Sequence, residues 1–330
     1  MAEPLLRVRD LEVSFATRQG VIAPVRGVSF QVNHHETLGI IGESGCGKSV
    51  TAQALMGLLP PRTSRVEGEV FLAEKALHSL PAKARRQMSG REMAMIFQDP
   101  LASLNPVMTI SQQIDESLRL HTSLSRLQRQ DKITHLLAQV GIPDPVRCAG
   151  AWPHELSGGM RQRVMIAMAV AASPSLLIAD EPTTALDATI QAQILDLLDE
   201  IKQQTGMGIV IITHDLSVVA RLCQRVVVLY AGQVVEETDV HSLFERPRHP
   251  YTRALLAARP SADHPPKTPL AEIGGQVPSL HALPEGCTYA DRCPLAQPRC
   301  RAQAAELRPL GSGAHLVRCW RADETGGILR

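Results

Sequence analysis

The chain has 330 residues, enough for two domains or for one large domain with an appendage. Hydrophobic residues make up 44% and charged residues 20%, which excludes a collagen, a coiled coil or a disordered chain. A net charge of +1 and an aromatic content of only 3% argue against a dedicated nucleic-acid-binding protein. The longest apolar run, residues 164–172, is too short to cross a membrane.

The pattern along the chain predicts an α/β fold. Apolar or alternating runs predict strands at residues 5–15, 25–32, 37–41, 66–72, 93–97, 176–179, 208–212 and 226–230. Helical spacing predicts helices at residues 48–58, 157–172, 186–201 and 216–222, and a helical subdomain from about residue 109 to 172. Strands that alternate with helices favour a mainly parallel sheet with helices on its faces.

A glycine-rich loop joins the strand at residues 37–41 to the following helix. It fits the phosphate-binding pattern G-x-x-x-x-G-K-[ST] in the strand–loop–helix context that this pattern requires. Its residues are Gly42, Glu43, Ser44, Gly45, Cys46, Gly47, Lys48 and Ser49. Lys48 would neutralise the β- and γ-phosphates, and the Ser49 hydroxyl would bind Mg²⁺. Cys46, next to a helix N-terminus and to Lys48, is expected to be a reactive thiol of lowered pKa.

Two adjacent carboxylates, Asp180 and Glu181, follow the apolar run at residues 176–179. Because side chains alternate along a strand, the two carboxylates point in different directions. Asp180 can hold Mg²⁺ through water. Glu181 can act as a general base or orient the attacking water.

A second anion-binding motif consists of Ser157, Gly158, Gly159 and Met160. Ser157 can cap the helix that follows, and the two glycines expose its first N–H groups. One chain would not readily wrap both motifs around a single nucleotide, because they lie far apart in the sequence. The second motif is therefore expected to face a nucleotide held by another chain.

In this order, the motifs resemble those of the ATP-binding-cassette (ABC) ATPases. Residues 42–49 and 176–181 are similar to the Walker A and B motifs of that family, and residues 156–160 to its signature motif. The resemblance implies a P-loop NTPase fold with a RecA-like core, an antiparallel β subdomain and a helical subdomain. It also implies a head-to-tail dimer in which each ATP lies between the Walker motifs of one subunit and the signature of the other.

The resemblance assigns four further residues. Gln98 looks like the Q-loop glutamine, an implied Mg²⁺ ligand, and His214 like the switch histidine that contacts the γ-phosphate. Together with Glu181, these two residues form the implied catalytic set. Asp187 resembles the D-loop aspartate, and Phe15 resembles the aromatic residue that stacks on adenine.

The composition changes near residue 245. Residues 246–330 hold 11 of the 23 prolines and four of the seven cysteines, with a net charge of +5. We therefore predict an ATPase domain at residues 1–245 and a C-terminal extension at residues 246–330. Residues 248–256, 95–106 and 230–237 resemble the ATPases of oligopeptide and dipeptide importers.

That resemblance implies a peripheral subunit, on the cytoplasmic face of the inner membrane, that uses ATP to drive peptide import. The implied partners are two membrane permeases, a second homologous ATPase in a heterodimer and an extracytoplasmic peptide-binding protein, with no nucleic acid. The same group includes transporters of nickel and of antimicrobial peptides. Two other hypotheses are a soluble ABC ATPase acting on nucleic acid or ribosomes, and a metal-sensing regulator. The single cassette without heptads argues against the soluble ATPase.

Four tail cysteines, Cys287, Cys293, Cys300 and Cys319, are candidate metal ligands. Their spacing is looser than that of most structural zinc sites, and four thiolates also suit an iron–sulfur cluster. The resemblance favours a [4Fe–4S] cluster, with zinc, unliganded thiols or a disulfide as alternatives. Its loss is expected to impair folding or partner docking more than nucleotide binding, because the cysteines lie beyond the ATPase motifs.

Overall fold

A computed structural model describes residues 3–184, 186–258, 272–311 and 314–323. The chain divides into two compact units, each assembled from three segments, and each unit is described by itself. The first unit takes the described residues of segments 1–6, 31–37 and 72–212, and the second those of segments 7–30, 38–71 and 213–330.

The strands in chain order are β1 (Leu6–Thr17), β2 (Gly20–Val32), β3 (Thr37–Ile41), β4 (Ser64–Leu72), β5 (Lys75–Ala76), β6 (Met93–Ile96), β7 (Leu176–Asp180), β8 (Gly208–Ile212), β9 (Arg225–Tyr230), β10 (Gln233–Asp239), β11 (Arg308–Pro309) and β12 (Leu316–Val317). The α-helices are α1 (Lys48–Met56), α2 (Ala82–Met88), α3 (Pro100–Ser103), α4 (Ile110–His121), α5 (Arg126–Gln139), α6 (Pro145–Gly150), α7 (Gly158–Val170), α8 (Ala188–Thr205), α9 (Leu216–Leu222), α10 (Val240–Glu245), α11 (Pro250–Ala257) and α12 (Pro298–Ala302). The individually predicted strands and helices are confirmed, with ends shifted by a few residues. Among the described residues, we find no helical segment with the length and apolarity that a membrane span requires.

Three parallel strands form the centre of the first unit, in the order β8–β7–β6. Ile178 of β7 pairs with Met95 on one side and with Val210 on the other. All residues of these strands are buried, as expected for parallel strands that read as continuous apolar runs. This register places the ends of β6 and β7 side by side, and the segments that follow them carry candidate site residues.

Polar caps begin the two long helices that follow residue 109. Thr109 caps α4 and Ser125 caps α5, and in each case a glutamine three residues later bonds back to the cap. The apolar residues at helical spacing are buried: Ile110, Ile114, Leu118, Ile133, Leu136 and Leu137. The helical segment therefore forms, while its limits as a subdomain stay a prediction.

Five strands of the second unit lie in the order β11–β12–β10–β9–β3, and three others in the order β2–β1–β4. β3 is parallel to β9, and β10 is antiparallel to both β9 and β12. The tail strand β12 thus extends the sheet that leads into the glycine-rich loop. Because the tail and this loop belong to the same compact unit, the boundary at residue 245 stays a prediction.

A buried glutamate ties the start of the tail to this sheet. Glu236 of β10 is fully buried and accepts hydrogen bonds from the N–H groups of Arg248 and His249, at 2.7 and 2.8 Å. The His315 Nε2 lies 2.7 Å from the same carboxylate. Burying a carboxylate is costly unless it is hydrogen-bonded, so these contacts hold the tail where it leaves β10.

Two leucines of α5 test how this helix packs. Leu137 is 0% exposed and Leu127 is 69% exposed. Leu137→Ala should lower the free energy of unfolding by about 2–5 kcal/mol, because it leaves a cavity. Leu127→Ala should change it by less than about 0.5 kcal/mol, because its side chain already contacts water. Urea unfolding measures both variants, and equal losses would contradict the observed orientation of α5.

Candidate functional site

The glycine-rich loop connects β3 to α1 in the second unit. Two of its glycines are required because other backbone approaches them closely. A Cβ on Gly42 would lie 2.2 Å from the carbonyl oxygen of Leu229, and a Cβ on Gly47 would lie 2.2 Å from that of Pro24. Both glycines also have positive φ, at 153° and 101°. These approaches fix the loop against β9 and β2.

Lys48 folds back onto the loop that precedes it. Its side chain is buried, and its Nζ donates hydrogen bonds to the carbonyl oxygens of Gly42 at 2.7 Å and Glu43 at 3.0 Å. Ser49 is half-buried in the first turn of α1, while Ser44 is exposed. The loop therefore carries a positive charge that is held in place by hydrogen bonds, as a phosphate site requires.

The predicted lowering of the Cys46 pKa is wrong. Its side chain is only 1% exposed, and burial raises the pKa of the thiol. The Lys48 Nζ, 3.8 Å from the sulfur, lowers this pKa by less than burial raises it. The sequence shows the nearby charge, but it does not show that the thiolate would lose its contact with water. Cys46 is therefore a neutral packing residue inside the loop.

In the first unit, Asp180 ends β7 and Glu181 begins the turn that follows. Asp180 is buried, and Glu181 is half-buried. Glu181 has a positive φ of 48°, a backbone conformation that is uncommon for residues with a side chain and that is often found at functional sites. Its N–H donates a hydrogen bond to the carbonyl oxygen of Ile212, at the end of β8, at 2.8 Å. Asp180 thus lies at the end of a regular strand, whereas Glu181 lies in a turn and has a positive φ.

Gln98 and Thr184 both bind the Glu181 carboxylate. Gln98 Nε2 and Thr184 Oγ1 each donate a hydrogen bond to Glu181 Oε2 at 2.9 Å. Gln98 follows β6, and the parallel pairing of β6 with β7 brings these two predicted site residues together. The Thr184 contact was not predicted from the sequence, although the position of Thr184, three residues after Glu181 in a turn, indicates it.

Ser157 caps α7, and its hydroxyl oxygen accepts a hydrogen bond from the Met160 N–H at 3.3 Å. The two glycines between them differ in their surroundings. A Cβ on Gly158 would meet nothing within 4 Å, whereas a Cβ on Gly159 would lie 3.1 Å from the Ile190 side chain. Among the described residues, Gly158 therefore faces open space, and Gly159 packs on α8.

Two more residues fix the starts of α7 and α8. Gln162, buried in α7, donates a hydrogen bond from its amide to the Pro182 carbonyl oxygen, next to Glu181. The sequence analysis missed Gln162 because a glutamine in a helix gives no signal of burial. Asp187 caps α8 and accepts hydrogen bonds from the N–H groups of Thr189 and Ile190, at 3.1 and 2.9 Å.

His214 and Phe15 both belong to the second unit. His214 is exposed and follows Thr213, whose N–H donates a hydrogen bond to the Ile40 carbonyl oxygen of β3 at 3.3 Å. The histidine thus begins beside the strand that leads into the glycine-rich loop. Phe15 is half-buried near the end of β1, so part of its ring remains available for contact.

The tail makes two contacts with Glu43 that no sequence pattern indicates. Tyr251 Oη accepts a hydrogen bond from the Glu43 N–H at 2.8 Å. The Arg292 guanidinium forms two hydrogen bonds with the Glu43 carboxylate, at 2.7 and 2.9 Å. Because Arg292 lies 249 residues after Glu43, local spacing cannot predict this pair.

The four tail cysteines line a single cavity in the second unit. Its lining includes Cys287, Cys293, Cys300, Cys319, Arg318 and Arg321. Burial raises the pKa of three of these thiols, that of Cys319 to about 11. The Arg321 N–H donates to the Cys319 sulfur at 3.4 Å. Within the part of the chain that the structure describes, no three Cys, His, Asp or Glu side chains are grouped so that they could hold one metal ion.

Two protein families match this chain. Residues 25–184 match the family described as ABC transporter. Residues 235–300 match the family described as oligopeptide/dipeptide transporter, C-terminal region. The first match covers the glycine-rich loop, both carboxylates and the Ser157 motif, and the second covers the start of the tail and three of its cysteines.

Curated relatives span nearly the whole chain. A probable peptide ABC transporter ATP-binding protein of Sinorhizobium fredii is 50% identical over 98% of this chain and 96% of its own length. Dipeptide transport ATP-binding proteins are 46% identical in Escherichia coli, over 98% of both chains, and 45% identical in Bacillus subtilis, over 98% of this chain and 96% of their own.

Solved structures share the fold over about three-quarters of the chain. An ATP-binding cassette solved as a post-hydrolysis dimer with ADP and phosphate is 26% identical, with a TM-score of 0.65, over 71% of this chain and 98% of its own. A Clostridium perfringens protein, part of an ABC transporter complex, is 25% identical, with a TM-score of 0.62, over 74% of this chain and 93% of its own. The fold is therefore that of an ABC-type P-loop NTPase.

The burial of Cys46 predicts slow chemical modification. In the folded chain at neutral pH, N-ethylmaleimide should label Cys46 at less than about a tenth of its rate in urea, because the thiol is both inaccessible and protonated. Mass spectrometry of the peptide that contains Cys46 measures this rate. Equally fast labelling in the folded and urea-unfolded chains would contradict the observed position of the thiol.

Proposed function

The chain belongs to the ABC transporter family, and we propose that it is the ATP-hydrolysing subunit of an importer of di- and oligopeptides. The observation that carries the ATPase assignment is the Lys48 ammonium held inside a strand–loop–helix phosphate site. The peptide assignment is supported by the matched C-terminal region and by relatives named for peptide or dipeptide transport.

In this proposal the phosphates of ATP bind in the loop at residues 42–49. The N–H groups at the start of α1 and the Lys48 ammonium neutralise the phosphate charge. Ser49, Gln98 and Asp180 hold Mg²⁺ through hydroxyl, amide and carboxylate oxygens, directly or through water. Oxygen donors of this kind are the ligands that Mg²⁺ prefers.

Glu181 orients and deprotonates the water that attacks the γ-phosphate. Its carboxylate already accepts hydrogen bonds from Gln98 and Thr184, which restrict its direction before a water arrives. His214 contacts the γ-phosphate, and Phe15 stacks on the adenine. Both roles are supported by the relatives that align over 98% of this chain, and by the partial exposure of the Phe15 ring and the exposure of His214.

Residues 157–160 serve an ATP held by a second cassette. The open space beside Gly158 among the described residues supports this role, because it leaves the start of α7 accessible to an outside anion, while the Ser157 hydroxyl occupies only the Met160 N–H. A solved cassette of the same fold is a dimer with ADP and phosphate. We infer that this chain pairs head-to-tail with a second, homologous ATPase, and that Asp187 lies at their interface as the D-loop aspartate.

The ATPase pair lies on the cytoplasmic face of the inner membrane, beneath two permeases that form the path for the peptide. An extracytoplasmic binding protein delivers the peptide to the permeases. This arrangement is supported by membership of the family and by relatives named as transport ATP-binding proteins. Nickel and antimicrobial peptides are alternative cargoes.

In this proposal the four tail thiols hold a [4Fe–4S] cluster, and one zinc ion is the alternative. A zinc ion lies about 2.3 Å from each thiolate, which brings all four sulfurs close together. Here the four cysteines line one cavity, which places their thiols in one region of the tail. A cluster distributes its thiolates over several irons and is tuned by hydrogen bonds to sulfur, such as that from the Arg321 N–H. When bound, it would cross-link the tail.

The role of Glu181 predicts a separation of ATP binding from hydrolysis. Glu181→Gln should bind ATP with nearly unchanged affinity but hydrolyse it at less than about a tenth of the wild-type rate, since general bases contribute about 10²–10⁴-fold. Glu200→Gln, an exposed glutamate of α8, is the matched control and should hydrolyse normally. A Glu181→Gln chain that hydrolyses ATP at more than a tenth of the wild-type rate would rule out this assignment.

The cluster predicts iron and sulfide in comparable amounts after anaerobic purification, with broad visible absorbance. Cys300→Ser should lose this absorbance, whereas Cys148→Ser should keep it, because Cys148 is a buried residue of α6 that does not line the cavity. Stoichiometric zinc without iron would favour the zinc alternative. Protein free of both metals would contradict a metal centre.

The transport role is tested by purifying the chain with its native partners from membranes. We expect two permeases and a second ATPase to co-purify, and di- or oligopeptides with their binding protein to stimulate ATP hydrolysis. If nickel alone stimulated ATP hydrolysis, the cargo would be nickel and not a peptide, and the ATPase assignment would be unchanged. Co-purification with ribosomes or DNA, without permeases, would overturn the transport assignment.

A further inference from the structure

All three tyrosines of the chain lie in one cluster between the phosphate loop and the cysteine cavity. Tyr230 ends β9, Tyr251 lies in α11, and Tyr289 follows Cys287 in the tail. Their ring centroids are 4.6 to 5.4 Å apart, and all three side chains are buried. Such a packed aromatic group is a rigid support for whatever it contacts.

Glu43 of the phosphate loop is fastened to this cluster by two separate groups. Its N–H donates to Tyr251 Oη at 2.8 Å, and its carboxylate accepts the paired hydrogen bonds from Arg292. The Arg292 side chain is only 4% exposed, and that of Glu43 is 26% exposed. A paired guanidinium–carboxylate contact that is largely shielded from water is among the stronger and more directional polar interactions.

Arg292 is also fixed by the remaining donors of its guanidinium. Its Nε donates to the Gly274 carbonyl oxygen at 2.8 Å, Nη1 to Tyr230 Oη at 3.2 Å and Nη2 to the Ile273 carbonyl oxygen at 3.1 Å. With the two bonds to Glu43, all five N–H donors of the guanidinium are used. Arg292 therefore cannot turn away from Glu43 without breaking other bonds.

The carbonyl oxygen of Glu43 is one of the two that hold the Lys48 ammonium. The side chain, N–H and carbonyl oxygen of this single residue thus face the tail arginine, the tail tyrosine and the phosphate-binding lysine. We propose that Arg292 is a positioning residue of the ATP site, which fixes Glu43 and through it the shape of the phosphate loop.

This inference rests on the proposed ATP site at residues 42–49. It gives the C-terminal region an indirect part in nucleotide binding, through Glu43, whereas loss of the tail centre was expected to impair folding or partner docking more than nucleotide binding. Arg292 lies between Tyr289 and Cys293, which both line the cysteine cavity. A change near the cysteine cavity can therefore reach the loop through Arg292, in addition to the contact that Tyr251 makes with Glu43.

Measurements can distinguish a role of Arg292 in the geometry of the phosphate loop from a role in docking the tail alone. We would measure the dissociation constant of Mg-ATP for the full chain at a temperature well below its unfolding transition. The variants are Glu43→Gln, Arg292→Gln and the double variant. Arg301→Gln is the control, because Arg301 forms an exposed ion pair with Asp291 in the same part of the tail. Amide hydrogen exchange at residues 42–49 reports the loop itself.

We expect each single variant to weaken Mg-ATP binding about tenfold, because the charge-assisted pair is lost. The double variant should bind within about threefold of either single variant, since both remove the same interaction. Exchange at residues 42–49 should rise in all three variants, and Arg301→Gln should match the wild type.

Arg292→Gln with unchanged Mg-ATP affinity and unchanged exchange in the loop would overturn the proposal, even if its melting temperature fell. Lys48→Ala separates this failure from a failure of the proposed ATP site. If Lys48→Ala abolishes binding while Arg292→Gln does not, the ATP site stands and the positioning role falls. If Lys48→Ala binds Mg-ATP normally, both the proposed ATP site and the positioning role of Arg292 are wrong.

Discussion

The burial of one ammonium group, that of Lys48, is the constraint on which the phosphate site depends. An ammonium taken out of water costs several kcal/mol unless acceptors replace the lost water, and here the acceptors are carbonyl oxygens of the loop. The loop must therefore turn its own backbone inward, which it can do only with glycines where other strands approach it. Gly42 and Gly47 meet this need, because a Cβ at either position would strike a carbonyl oxygen. Phosphate charge would then replace the loop carbonyls as the stronger partner of Lys48.

In the first unit, the Glu181 carboxylate is held in place by different contacts. Glu181 lies in a turn with positive φ, and its side chain is bound by Gln98 and Thr184. The parallel register of β6 and β7 is what brings Gln98 to it. A sheet whose strands are wholly buried supplies a fixed frame, so that short segments at the strand ends can be placed with little freedom. The tail likewise restricts the phosphate loop, because Arg292 and Tyr251 both bond to Glu43, although the tail lies outside the cassette motifs.

Short-range sequence patterns predicted individual strands and helices. They did not predict features that depend on burial or on contacts between residues far apart in the sequence. The strand at residues 37–41 and the helix after Lys48 follow from an apolar run and a glycine motif. β10 was missed because it buries Glu236, which a hydropathy pattern reads as surface until its partners Arg248 and His249 are known. The prediction that the Cys46 pKa is lowered was wrong for a related reason. The loss of water around a buried thiol cannot be inferred from its neighbours in the sequence.

The central claim, that ATP binding by this chain drives peptide uptake, is tested most directly in cells from which the chain has been removed. Uptake of a radiolabelled dipeptide should fall, return with the wild-type chain and stay low with Lys48→Ala expressed at the same level. The reason is that the variant lacks the charge that binds phosphate. Full uptake with Lys48→Ala, or uptake unaffected by removal of the chain, would contradict the claim.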